Sequence, residues 1–256
     1  MTRWLVGMVL IGMVVLPGQA RAQDDDYGLE FTYTLLTKRS VIERELEFKF
    51  NYEHGKEGRS FEWVGAVEWV ILPRWQVELE VPIVLQDPKE GTQQAGIGDL
   101  ELTNRFLLYK GLEPPMLVTA GLEAKMPTGS RSRGTGGEAT IEPWLATAVA
   151  FGAFDVQASV AYEWGLKDPW EQQFEAAAAV SYRLSRWFTP LLEMQLTYLT
   201  KGESDDPLLN RAQISILPGF NVRLLPGTTF AAGVEVPFTN AKAFDYAVRA
   251  LFVWEF

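Results

Sequence analysis

The chain has 256 residues, one histidine, no cysteine and a formal net charge of −10, and 47% of it is hydrophobic. No disulfide framework is available, nucleic acid is disfavoured because a phosphate backbone asks for a basic face, and no apolar run beyond the first residues is long enough for a membrane helix. What remains open is a wall of alternating strands.

The amino terminus reads as a secretory signal peptide over residues 1–22. Met1 to Arg3 supply a short positive start, Trp4 to Leu16 carry no charge, and Ala20-Arg21-Ala22 form a small-x-small cleavage site. Cleavage leaves 234 residues with 33 acidic side chains against 21 Lys and Arg, about −12. No linker divides them. Residues 23–40 precede the regular pattern and are expected as a periplasmic extension or a lumen plug, with Asp24-Asp25-Asp26 as a solvated acidic tail.

From residue 41 to 256 the period is two. Twelve strands are expected at roughly 41–53, 60–71, 75–85, 98–109, 116–126, 139–151, 154–164, 172–184, 187–198, 209–223, 228–238 and 243–256. Trp75/Val77/Leu79/Val81/Ile83/Leu85 against Gln76/Glu78/Glu80 is one plain case. The last strand alternates from Phe244 to Phe256 with an aromatic at each end. Glu175 to Ala179 has helical composition, but Phe174, Ala176, Ala178, Val180 and Tyr182 keep the strand period.

Long polar connections (54–59, 86–97, 127–138, 165–171, 199–208) alternate with short ones (72–74, 152–153, 185–186, 224–227). The 110–115 and 239–242 connections fit less well. Together these features predict an all-β fold, a transmembrane antiparallel up-and-down barrel of the Gram-negative outer membrane, with long loops outside and short turns in the periplasm. Lipid is then a partner, and the final strand ending at Phe256 would be read by the barrel-assembly machinery. Aromatics gather at two levels, Trp69, Trp75, Tyr182, Trp187, Phe188, Trp254 and Phe256 at one, Phe61, Trp63, Tyr162, Trp164, Tyr198, Phe238 and Phe244 at the other. Trp144 breaks parity by pointing inward.

The inward faces hold the chemistry. Glu45, Glu47, Glu68, Glu78, Glu80, Asp99, Glu101, Glu123, Asp155, Glu175, Glu193, Glu235 and Asp245 would share the lumen with Lys49, Arg105, Lys125, Arg183, Arg211, Arg223 and Arg249. A polar conduit favouring neutral or cationic solutes and a network of paired charges filling a narrow barrel both stay open. Glu78, Glu80, Asp99 and Glu101 are expected to crowd the external half, with Arg105 deeper. No residue set calls for catalysis, a metal or a cofactor. His54 falls in the first external loop without a serine at useful spacing, and Gly96-Ile97-Gly98 leads into a strand.

Leu79-Glu80-Val81-Pro82, Gly96-Ile97-Gly98-Asp99-Leu100-Glu101-Leu102 and Lys125-Met126-Pro127-Thr128-Gly129, in that order, resemble the transporter family named for the MetA pathway of phenol degradation. The resemblance implies an outer-membrane, porin-like channel for small hydrophobic or aromatic compounds. It transfers no catalytic or binding residue.

Overall fold

The computed structural model describes residues 30–166, 171–202 and 206–256. The leader expected at 1–22, and Asp24 to Asp26 of the extension, lie outside the described residues. Thirteen strands form: β1 (Glu45–His54), β2 (Gly58–Leu72), β3 (Trp75–Pro88), β4 (Gln94–Ile97), β5 (Leu100–Leu112), β6 (Pro115–Met126), β7 (Thr140–Phe151), β8 (Phe154–Gly165), β9 (Gln172–Tyr182), β10 (Phe188–Lys201), β11 (Ala212–Leu225), β12 (Thr228–Pro237) and β13 (Tyr246–Glu255). All but β4 build a closed antiparallel barrel of twelve strands, shut where β1 meets β13 with Glu45 opposite Glu255. Closure leaves no open edge, so backbone groups in the wall find partners within the sheet.

All twelve expected strands are present, but the first begins at Glu45, so 41–44, expected as strand, belong to the segment that precedes it. The short β4 corrects the 86–97 connection. The lower half of β3, Trp75 to Glu80, pairs with β5, while Ile83 to Gln86 above it pairs with β4. The 239–242 connection is also corrected. Strand β12 stops at Pro237 and β13 starts at Tyr246, so the link spans 238–245 and belongs with the long ones at its end of the barrel. The other end carries the tight turns 73–74, 113–114, 152–153, 183–187 and 226–227, together with the start of β1 and the end of β13.

Parity sorts the side chains. Leu79, Val81, Val160, Val180, Leu192, Met194 and Val234 stand on the outer face, exposed, and Gln76, Glu78, Gln157, Glu193 and Leu217 are buried inside. The run Glu175 to Ala179 is strand, as its period requires. Aromatics meet at both rims of the outer face, among them Trp69 with Phe256 (5.8 Å between ring centres) and Phe154 with Tyr182 (4.7 Å) at the turn end. Tyr162 with Trp164 (4.7 Å) and Tyr52 with Phe61 (4.8 Å) do so at the loop end. Phe244 departs from this pattern. It is buried, with Arg249 over its ring, because β13 begins only at Tyr246.

Candidate functional site in the barrel interior

Residues 30–44 lie inside the barrel. The chain enters at the turn end, where Thr32 gives its amide and hydroxyl to Asp155 (3.3 and 2.8 Å) and its carbonyl accepts from Gln157 (2.6 Å). It climbs to a bend at Leu35 to Thr37, then descends to β1. Glu193 holds the bend by accepting from the amides of Leu35 (2.6 Å), Leu36 (3.1 Å) and Thr37 (2.9 Å) and from the Thr37 hydroxyl (2.8 Å). Next to it the Lys38 ammonium bridges Glu123 (2.8 Å) and Glu142 (2.7 Å) across two strands. On the descending limb the Ser40 carbonyl accepts from the Thr119 hydroxyl (2.6 Å), and Val41 and Ile42 pack with Phe31 against Leu107, Leu117, Ala148 and Ala150. Small inward residues make room for this segment. Ala179, in the Glu175 to Ala179 run, sits in register between Gln157 and Glu193, which both bond the inserted chain.

Beside and above the inserted segment the inward charges are paired. Arg105 contacts Glu68 (3.1 Å) and Glu78 (2.6 Å), and Lys49 contacts Glu47 (3.1 Å), Glu78 (3.2 Å) and Glu80. Lys125 pairs with Glu101 (3.2 Å), and Arg249 with Glu235 (2.8 Å) and Glu53 (3.0 Å). Glu78, Glu80 and Glu101, expected to crowd the external half, are therefore each compensated by a cation. Lys49 on β1 reaches β3, and Arg105 on β5 reaches β2, across lumen rather than along a strand. Glu45, Glu47 and Glu68 bring oxygens within 4.8 Å of one another, but Arg39 lies 2.7 Å from Glu45, and Lys49 and Arg105 meet the other two. That triad is charge-compensated as it stands.

Asp99 does different work. Its carboxylate accepts from the amides of Gly129 (2.7 Å), Gly137 (2.7 Å) and Glu138 (2.8 Å), so the 127–139 loop is wound around it. Gly136 has φ +131°, and a β-carbon there would stand 2.5 Å from Asp99 Oδ2, so only glycine fits. Thr128 accepts from the Leu100 amide (2.9 Å) and donates to the Gly98 carbonyl (3.0 Å), while Gly98 lies against Pro82. The three sequence segments around residues 79–82, 96–102 and 125–129 thus meet at one place on the loop-end rim.

Cavities remain around this segment among the described residues. One of about 320 Å³ lies above the bend, between Leu35 to Arg39 and Glu47, Lys49, Glu80, Trp144 and Glu175. A second, about 280 Å³, lies under the 127–139 loop, with Glu53, Glu62, Asp99, Glu101 and Glu138 facing it against Lys125. A third of about 280 Å³ lies at the turn end beside Arg183, Arg186 and Arg223. Of the expected inward residues, Glu78, Glu80, Glu101, Arg105, Glu123, Lys125, Glu193, Glu235 and Arg249 are brought together inside. Arg211 and Asp245 are not. Arg211 is exposed just before β11, and Asp245 lies outside β13, where a hydrogen bond from Lys242 (2.6 Å) holds its carboxyl below the usual carboxylate range. His54 closes β1 with its ring 5.3 Å from that of Tyr246. Its Nδ1, which a catalytic triad ties to a carboxylate, has no hydrogen-bond partner. Sequence reading missed Lys38, Arg39 and Thr32, whose partners are known only once residues 30–44 are placed in the lumen.

No protein-family model and no curated protein matches the sequence. Among solved structures, the chain is similar to an outer membrane channel from Pseudomonas putida F1, with a TM-score of 0.67 and 11% identity over 89% of this chain and 100% of that one. It is similar also to the NanC porin (TM-score 0.61, 10% identity, 82% of this chain and 99% of that one). The KdgM porin in complex with disordered oligogalacturonate follows (TM-score 0.56, 9% identity, 83% and 99%). The likeness is one of fold, that of an outer-membrane barrel.

Proposed function

We propose that the chain is a β-barrel channel of the Gram-negative outer membrane, exported by its leader, through which small solutes pass passively. The observation that carries this reading is a closed barrel with an apolar outer band and aromatic rims, whose polar interior keeps cavities above and below the inserted segment. The barrel would stand with its long loops outside, residues 30–44 acting as a plug from the periplasmic side, and β13 presenting Phe256 to the assembly machinery. Five carboxylates against one lysine around the loop-end cavity would favour cationic and neutral solutes at that mouth. The motif resemblance points to small hydrophobic or aromatic compounds as the solute. Planar-bilayer conductance together with swelling of liposomes in candidate solutes tests the channel. The expected result is small, cation-preferring conductance, and silence in both assays would overturn it.

A closed barrel without transport is the second reading. The anchoring of the bend by Glu193 and Lys38 favours it, since those contacts fill the mid-lumen. Comparing the full chain with one lacking residues 30–40 separates the two, because a channel conducts with the segment in place and a barrel sealed by that segment conducts only once it is removed.

A further inference from the structure

At the turn end the aromatic rim carries cations. Arg44 precedes β1 on the outward parity, and its guanidinium carbon lies 5.1 Å from the centre of the Trp69 ring. Trp69 meets Phe256 at 5.8 Å, and Phe256 meets Trp254 at 6.2 Å. One turn along the rim, exposed Arg74 precedes Trp75, whose ring stacks on Phe106 at 6.0 Å with the planes 9° apart. Inside the barrel Arg39, Arg105 and Arg249 each meet two carboxylates. Among the described residues Arg44 and Arg74 form no ion pair, and Arg44 Nε is buried without a hydrogen-bond partner. A guanidinium held on lipid-facing rings, at the depth where Trp marks the headgroups, is electrostatically incomplete unless an anion at that depth completes it.

We propose that Arg44 binds the phosphate of an anionic phospholipid in the leaflet at the turn end, with Arg74 adding positive charge on the same rim and the acyl chains lying along Trp69 and the apolar band below it. The inference rests on the membrane reading above. Arginine suits the role because its planar fork offers paired N–H donors to phosphate oxygens, and stacking on Trp69 orients that fork.

The full chain reconstituted in nanodiscs of phosphatidylcholine with a minor share of phosphatidylglycerol provides the test, with retained lipid read by native mass spectrometry. The parent should retain phosphatidylglycerol over phosphatidylcholine by about fivefold or more relative to the bulk ratio. Enrichment should fade as salt is raised. Arg44→Gln with Arg74→Gln should return retention to the bulk ratio, and Arg44→Lys with Arg74→Lys should restore part of it, with circular dichroism confirming an intact barrel in each. A parent that enters the bilayer without enrichment, or a double Gln variant that enriches as the parent does, overturns the headgroup site alone. A chain that does not enter bilayers overturns the membrane reading with it.

Discussion

The indole of Trp144 on β7 lies across Gly121, its register partner on β6, and occupies the space a β-carbon at Gly121 would fill. The ring is buried with Ala146 and Ala161, and the Arg105 guanidinium lies 5.8 Å from its centre. A large side chain enters this interior only because its cross-strand partner has none. Gly121→Val should therefore push the ring into the cavity above the bend and destabilise the barrel by about 1–3 kcal/mol, the usual consequence of overpacking. Unfolding in lipid vesicles and the tryptophan emission maximum check this. An unchanged midpoint would mean that the indole has another place to go.

Glu193 is fully buried, and its partners are amides and a hydroxyl of one bend. Glu193→Ala leaves those donors without an acceptor, each worth about 1–3 kcal/mol if kept from water. The bend can escape that penalty by lifting into the lumen. The expected outcome is local release, with amide exchange at Leu35 to Lys38 faster by at least tenfold while the wall strands stay protected. Glu193→Gln, which keeps one acceptor oxygen, should fall between. Equal protection in all three proteins would show that Lys38 and the Val41–Ile42 packing suffice as anchors.

The wall was legible in the sequence because its physics is one-dimensional. Each strand must put apolar residues out and polar ones in, so Leu79 and Glu78 declare their sides without any knowledge of their neighbours. The interior was legible only as a set of inward charges. Which lysine meets which carboxylate depends on side chains crossing from β1 to β3 or from β2 to β5, and no local period encodes that. Residues 30–40 were read as an extension or a plug without a choice between them, and 41–44 were read as strand, for a related reason. They lie inside without forming a strand, and Thr32, Thr34, Thr37 and Ser40 are buried by the barrel around them. Strand β4 is four residues long, too short to leave a periodic trace. Arg211 and Asp245 were read by parity at strand ends where the strands had not yet begun.

Asp99 organises a glycine-rich loop by accepting its amides, so its removal should loosen the loop and leave the wall intact. Asp99→Asn replaces one acceptor oxygen with a donor that faces the amides of Gly137 and Glu138. Cleavage by trypsin at Arg131 and Arg133 should then rise several-fold, with no change in strand content by circular dichroism. If cleavage stays at the parent rate, Thr128 and Thr135 hold the loop without help from the carboxylate.

The last prediction joins wall to lumen. Leu79 and Val160 are exposed on the outer face, and Arg at either should destabilise the barrel by about 2–4 kcal/mol near the bilayer midplane. Among inward sites Gln157 is a poor control, because it is buried and donates to the Thr32 carbonyl. Gln195 is a better one. It is only partly buried and already donates to Glu175 (3.2 Å), so Gln195→Arg would gain a carboxylate partner. That substitution should therefore leave stability nearly unchanged while adding a positive charge beside the cavity above the bend, which lowers the cation-to-anion permeability ratio in bilayer recordings. Neutralising Glu62 and Glu138 at the loop-end cavity should lower the same ratio without touching the Lys49 and Arg105 pairs. Equal destabilisation by Leu79→Arg and Gln195→Arg would mean that the outer face does not meet lipid, and a ratio unmoved by both lumen changes would place the selectivity elsewhere.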